Sequence, residues 1–166
     1  MTSEAETLLD DVGWRLLQLL QDNARLTYTE LGREVGLTSR AVAERVRRLE
    51  EAGIITGYRA ELDIRKIGLP LTAFIRIATA GEGKYEQVLA VVKDRPEVLE
   101  CHRVTGTDSY FIKVIVSSVR HLEEFLVRLM PYGQPTTSVV LSSPVTHRVL
   151  GPHTLARPET PPPWRR

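Results

Sequence analysis

Cysteine occurs once in this 166-residue chain, at Cys101, which excludes an intramolecular disulfide framework and fits a reducing compartment. No apolar run approaches the roughly 20 residues that a membrane-spanning helix needs. The polar, acidic start from Met1 to Thr7 carries neither an export signal nor a lipidation motif, so a cytoplasmic protein is expected. Net charge is almost absent as well: 22 basic against 21 acidic residues leave +1. Any affinity for nucleic acid must therefore come from local clustering of cations and not from a globally basic surface. Catalytic and metal-binding patterns are missing too. Cys101 and His102 are adjacent in a strand-like stretch and so face opposite sides of a sheet, the wrong arrangement for a cysteine-histidine pair. His121, His147 and His153 lack metal-ligand spacing with them. Gly81-Glu82-Gly83-Lys84 lacks the glycine separation and the following hydroxyl of a phosphate loop, and it reads as a turn.

What the chain does have is a two-faced helix. In the stretch from Gly36 to Leu49, Leu37, Val42, Val46 and Leu49 recur at helical spacing and must point inward. Thr38, Arg40, Ala41, Glu44, Arg45 and Arg48 are left on the opposite face, with Ser39 and Arg47 in the same run. Arginine forks suit phosphate oxygens and the guanine edge, and the small Ala41 lets a helix backbone approach a groove. Upstream, Leu9, Val12, Leu16, Leu19 and Leu20 mark a first helix, with Asp10 and Asp11 near its positive end. Thr27-Tyr28-Thr29-Glu30 has capping-box spacing and starts a short second helix with Leu31 and Val35 inward. Gly36 follows where a helix end favours a left-handed residue, and Thr38 caps the third helix. Two helices joined by a tight glycine turn, the second bearing exposed arginines, form a helix-turn-helix that sets its second helix in the major groove.

The third helix ends at Ala52-Gly53, and Tyr58 to Asp63 alternates like a strand leaving the helical unit. Charges with Gly68 and Pro70 between Ile64 and Pro70 mark a domain boundary. Beyond it the pattern gives a strand at Leu71 to Ile77, a helix on Tyr85, Val88, Leu89 and Val92, and strands at Val98 to Val104 and Tyr110 to Val116 that pair as a hairpin. A helix on Val119, Leu122, Phe125, Leu126 and Leu129 and a strand at Thr136 to Leu141 complete the order. A β-α-β-β-α-β succession folds as a ferredoxin-like sheet with both helices on one face. The other face is not clearly polar, since Phe111 and Ile115 flank Lys113 there, and such faces mark oligomer interfaces. A homodimer is expected, which also supplies the two recognition helices that a two-fold DNA site requires. The proline-rich end, with Pro158, Pro161-Pro162-Pro163 and Arg165-Arg166, has little to bury and is expected to be mobile.

This succession resembles the Lrp/AsnC (feast/famine) family of transcription regulators. The resemblance rests on Leu9-Asp10 through Leu16-Leu17, Val35-Gly36-Leu37-Thr38, Arg45 through Ile55, Gly57-Tyr58, Gly68-Leu69-Pro70, and Val104-Thr105-Gly106-Thr107-Asp108-Ser109-Tyr110. It implies an α+β chain in which a winged-type helix-turn-helix domain (1–56) and a linking strand and linker (57–70) lead into a ferredoxin-like RAM domain for dimerisation and effector binding (71–151). A disordered tail (152–166) follows. It further implies binding to double-stranded DNA through Thr38, Ser39, Arg40, Ala41, Glu44, Arg45, Arg47 and Arg48. Dimers that assemble to tetramers or octamers are also implied, with a small effector, commonly an amino acid, bound where dimers meet. No enzyme activity and no cofactor are expected. The effector residues implied are Thr105, Gly106, Thr107, Asp108 and Tyr110, with Thr136, Thr137 and Ser138 from another subunit. Gly106 lets backbone amides turn toward a carboxylate and Asp108 suits an ammonium, although the same loop also reads as an ordinary hairpin turn. Two positions depart from the family pattern. Gly13 stands where an aspartate is usual, at an expected cost of about 1 kcal/mol against alanine, and Pro144 ends the last strand or holds it to an edge. Sirohaem decarboxylases resemble the same two-domain family, but the concentration of arginines on the third helix favours DNA.

Overall fold

The computed structural model describes residues 7–79 and 84–155. The turn at Gly81-Glu82-Gly83, residues 1–6 and the end from residue 156, with its prolines and Arg165-Arg166, lie outside the described residues. The chain forms two compact units, 7–60 together with 145–155, and 61–144.

The first unit is built on three helices, α1 (Asp11–Asp22), α2 (Tyr28–Val35) and α3 (Ser39–Glu51). Each start is fixed by a local cap. The Gly13 amide donates to Asp10 Oδ1 at 2.7 Å. Thr27 Oγ1 accepts from the Glu30 amide at 3.2 Å while Glu30 Oε2 accepts from the Thr27 amide at 2.8 Å, the complete capping box. Thr38 Oγ1 accepts from the Ala41 amide at 3.2 Å. Gly36 takes the left-handed conformation, φ 70°, which closes α2 without strain. Leu16, Leu31, Val42 and Val46 are fully buried together, and Leu8, Leu17 and Leu49 form a second apolar cluster with Trp14 and Ile54.

Two glycines here are set by close approach. A Cβ on Gly13 would lie 1.9 Å from the Leu8 carbonyl oxygen, and one on Gly32 would lie 2.4 Å from that of Leu37. Gly13 is thus no mere propensity cost, because alanine does not fit the backbone that precedes α1. Gly32 lets the turn fold back on α2, where the Leu37 amide donates to the Gly32 carbonyl at 2.9 Å.

The second unit contains β1 (Leu71–Thr79), α4 (Lys84–Lys93), β2 (Val98–Arg103), β3 (Tyr110–Val116), α5 (Val119–Leu129) and β4 (Gly133–Val139). Its sheet is antiparallel throughout in the order β2-β3-β1-β4, the ferredoxin-like arrangement expected. Val88, Val92, Leu122, Phe125 and Leu129 from the helices bury Ala73, Ile75, Ile77, Ile112 and Val114, so the core lies on one face of the sheet. On the other face Phe74 and Phe111 remain 40% and 37% exposed.

Several expectations are corrected. Residues 58–63 are exposed and form no strand, because alternation selects two faces but a ladder needs a neighbouring strand, and the described residues supply none. Leu89 lies outside the core, 46% exposed, at the flank of the stripe set by Val88 and Val92. The last strand runs from Gly133 to Val139 and not from Thr136 to Leu141, with one further bond from the Val140 amide to the Thr72 carbonyl at 2.9 Å. Pro152–Leu155, at the start of the expected tail, is a short helix, α6. The segment before it is held to α1 by one side chain: Gln21 Oε1 accepts from the Leu150 amide at 2.9 Å and Gln21 Nε2 donates to the Leu150 carbonyl at 3.1 Å. The compact sheet unit itself ends at Pro144.

Candidate nucleic-acid interface and effector loop

The four arginines of α3 differ in what holds them. Arg45 stands at the flank of the buried Val42–Val46 stripe, and its Nη1 meets both carboxylate oxygens of Asp10, at 2.9 and 3.0 Å. It therefore ties α3 to the cap of α1. The Gly13 amide, and after it Arg45, hold the Asp10 carboxyl below its usual pKa by favouring the charged form. Arg47 is enclosed by acids. Its Nη2 and Nε meet Glu44 at 2.6 and 3.1 Å, and its Nη1 pairs with Glu51 one turn on. The hydrogen bond from Arg47 draws the Glu44 carboxyl below its ordinary value. Arg40 and Arg48 are exposed and form no salt bridge among the described residues. Thr38 and Ser39 sit exposed at the start of the helix, and Ala41 is half-buried beside them. The positive charge on α3 that stands outside salt bridges among the described residues is thus Arg40 near its N-terminus and Arg48 two turns later.

At the far end of the helix, the Tyr58 hydroxyl donates to Glu50 Oε1 at 2.9 Å. Partial desolvation of the half-exposed phenol, and then this acceptor, push it up to about 12. Gly57-Tyr58 belongs to the sequence pattern, but its anchoring of the exit from α3 has no local signal.

The candidate effector loop joins β2 to β3. The Val104 amide donates to the Ser109 carbonyl at 3.1 Å and the Ser109 amide to the Ile77 carbonyl at 2.8 Å, while Ser109 Oγ accepts from the Thr79 amide at 3.1 Å and lies 2.8 Å from Thr79 Oγ1. These bonds fasten the loop to the end of β1. Thr105, Gly106 and Thr107 are exposed, and Gly106 has φ 116°, a conformation that favours glycine. Asp108 folds inward to 23% exposure and faces Arg76 Nη1 at 3.7 Å.

The eight implied effector residues do not converge within one chain, because the sheet divides them. Thr136 is opposite Arg76 and Ser138 opposite Phe74, on the open face. Thr137 is opposite Ile75, on the face covered by the helices. Tyr110 is opposite Ile77 and 6% exposed, and its hydroxyl donates to the Tyr85 carbonyl at 3.3 Å, so its side chain also belongs to the helix layer. Consecutive strand residues cannot share a face. Sequence reasoning missed Arg76, Ser109 and Thr79. Arg76 is readable as the outward residue between Ile75 and Ile77, whereas nothing local marks the Ser109 latch. Cys101 lies on the core side, where burial pushes its thiol up, and His102 meets Glu100 at 3.3 Å on the open face. Among the described residues no three His, Cys, Asp or Glu side chains gather as a metal ion would need, and no helix is long and apolar enough to cross a membrane.

Comparison with known proteins agrees with this layout. Residues 9–56 match the model of a winged helix-turn-helix DNA-binding family and residues 72–150 that of the Lrp/AsnC ligand binding domain. An uncharacterised HTH-type transcriptional regulator of Bacillus subtilis, YezC, is 45% identical over 84% of this chain and 98% of its own. The DNA-binding transcriptional activator DecR of Escherichia coli is 38% identical over 82% and 90%. Among solved structures, B. subtilis LrpC superposes with a TM-score of 0.77 at 32% identity, covering 81% of this chain and 96% of its own. A Neisseria meningitidis transcriptional regulator solved as its L-Met complex superposes with a TM-score of 0.82 at 30% identity, covering 89% and 99%. With a helix-turn-helix carrying exposed arginines and a ferredoxin-like ligand-binding unit behind it, this chain belongs to the Lrp/AsnC family of DNA-binding transcriptional regulators.

Proposed function

We propose that this protein is a homo-oligomeric regulator whose binding to double-stranded DNA responds to an amino acid. The observation that carries the effector reading is its likeness, over 89% of the chain, to a regulator solved with L-Met. On the DNA side, Arg40 and Arg48 contact the duplex, with Thr38, Ser39 and Ala41 at the helix start approaching it. Glu44, Arg45 and Arg47 shape and hold α3. Support comes from the exposure of the first two arginines and the engagement of the others with carboxylates. Phosphate contacts would position α3 and base contacts would specify the site. Half-exposed Phe74 and Phe111 on the open sheet face favour a dimer through that face, which presents two α3 helices to a two-fold site. Dimers then associate further to tetramers or octamers, with Thr105, Gly106, Thr107 and Asp108 at the effector and Thr136 and Ser138 near it. Such a protein works on the chromosome, in the cytoplasm.

The test is a gel shift and footprint of the purified protein on DNA upstream of its own gene, with and without each of the twenty amino acids, alongside sedimentation. The expected result is a protected two-fold site whose affinity or extent changes with at least one amino acid. Binding that none of them alters would reject the amino acid response, and absence of any protected site would reject the operator reading.

A further inference from the structure

The three-helix part of the chain lacks the charge that DNA calls for. Residues 1–60 hold eight basic and ten acidic residues, and on α3 Arg45 and Arg47 are already engaged by Asp10, Glu44 and Glu51. A duplex carries one phosphate charge for about every 1.7 Å of its axis, so Arg40 and Arg48 meet it from a stretch of net negative charge. The returning segment reverses the sign. Residues 145–166 hold four basic residues, Arg148, Arg157, Arg165 and Arg166, against one acid, Glu159.

This segment belongs to the helical unit and is docked on α1. The Gln21 side chain takes both backbone groups of Leu150, at 2.9 and 3.1 Å. Gly151 is buried, and a Cβ there would lie 2.6 Å from Gln18 Nε2. The Gly151 amide donates to Thr154 Oγ1 at 3.2 Å, at the start of α6. Arg148 is therefore held two residues from the clamp, exposed and without a salt bridge among the described residues. Arg25, three residues beyond the same end of α1, is in the same condition. After Leu155, residues 156–166 carry three further arginines. That length of chain reaches at most about 35–40 Å, roughly one turn of a duplex.

We propose that the segment from Val145 to Arg166 is a second DNA-binding element, which grips phosphates flanking the site read by α3. Arg148 supplies a cation fixed to the helical unit, and Arg157, Arg165 and Arg166 supply a tethered set. Arginine forks suit phosphate oxygens, and each such contact releases condensed counterions. The element adds affinity without base preference, because it meets the backbone and not the base edges. Once α3 is docked, the tether holds its arginines at high local concentration beside the flanking duplex. The inference rests on DNA binding by this family and goes beyond the reading of α3.

The test uses the full-length protein in anisotropy titrations from about 50 to 200 mM salt. The protected site is offered with about ten flanking base pairs on each side and also trimmed to its core, alongside an unrelated duplex of the longer length. The variants are Arg148→Gln and the triple Arg157→Gln, Arg165→Gln, Arg166→Gln. Each lost phosphate contact should lower the slope of log K against log salt by about 0.9. The triple variant should thus lose about 2–3 in slope and bind the long duplexes about tenfold or more weakly at low salt, specific and unrelated alike. On the trimmed site it should match wild type, and its Tm and sedimentation should be unchanged throughout. Arg40→Gln should weaken binding to both lengths by the same factor with and without the triple substitution. An unchanged slope, a loss confined to the specific site, tighter binding, or a loss that follows a changed association state would overturn the element. If Arg40→Gln has no effect while the triple variant loses affinity as stated, the reading of α3 fails and the element stands.

Discussion

Removing the Arg45 side chain distinguishes a residue that reads DNA from one that positions the reader. In Arg45→Ala both bonds to Asp10, at 2.9 and 3.0 Å, are lost. The two side chains are 35% and 43% exposed, so solvent screens them and the loss is that of a favourable surface pair, about 0.5–1 kcal/mol. For a unit of this size that corresponds to a fall in Tm of about 2–8 °C. Asp10→Asn should cost a similar amount, since asparagine still caps α1 but no longer carries the charge, and the double variant should cost little more than either. The pH dependence has a fixed sign. The folded Asp10 carboxyl is held below its ordinary 3.8, first by the Gly13 amide and then by Arg45. Its stabilisation is therefore complete above that value and is lost as pH falls through the lower, folded one. The gap in Tm between wild type and Arg45→Ala should be constant from pH 7 to 5 and close below about pH 4.

The DNA readout completes the experiment. If Arg45 positions α3, its removal weakens binding to all sequences alike and in proportion to the loss of order, and leaves base preference intact. If it reads a base, specific binding falls by about 1–3 kcal/mol at one position of the site. An unchanged Tm at pH 7 together with selective loss at one base pair would refute the positioning role. Arg48→Ala is the contrasting variant: no change in Tm, and a weaker salt dependence or a relaxed base preference.

Gly13→Ala should lower stability by about 1–3 kcal/mol despite alanine's better helix propensity, because its Cβ would lie 1.9 Å from the Leu8 carbonyl; a raised Tm would contradict the packing. Gly32→Ala should do the same and abolish gel shifts, since the Leu37 carbonyl lies 2.4 Å from the added carbon; full DNA binding at wild-type Tm would show that the turn relaxes. Ser109→Ala leaves the Thr79 amide without its acceptor, at about 1–3 kcal/mol; hydrogen exchange should quicken at Thr79 and at Val104, and unchanged exchange there would remove the latch. Gln21→Ala should speed exchange of the Leu150 amide with a small change in Tm, and a still-protected amide would show that other contacts hold the segment.

What is legible in the sequence is what is decided locally. Caps act over three residues, so Thr27–Glu30, Thr38 and Gly36 mark their helices by residue type and spacing alone, and alternation at Tyr110 to Val116 gives the buried face of β3. The failures concern partners distant in sequence. The alternation of 58–63 names two faces but no neighbour, and Arg45 looks like an outward arginine until Asp10, thirty-five residues earlier, is brought beside it. Proline content says that the end of the chain cannot make a core, but it cannot see a glutamine on α1 offering both its donor and its acceptor to Leu150. The division of Thr136, Thr137 and Ser138 between two faces follows from the two-residue period of a strand and needs only the register to say which face is which.

The connectivity of the two units follows from where the chain leaves and re-enters the helical one. The chain leaves the helical unit after Ala60 and re-enters it at Val145, so the sheet unit is an insertion joined by two covalent links. The exit is fastened near the end of α3 by the Tyr58–Glu50 bond and the re-entry near the end of α1 by the Gln21–Leu150 bonds. Arg45 and Asp10 join those same two helices elsewhere along their length, so α1 and α3 are tied to each other as well as to the two ends of the insertion.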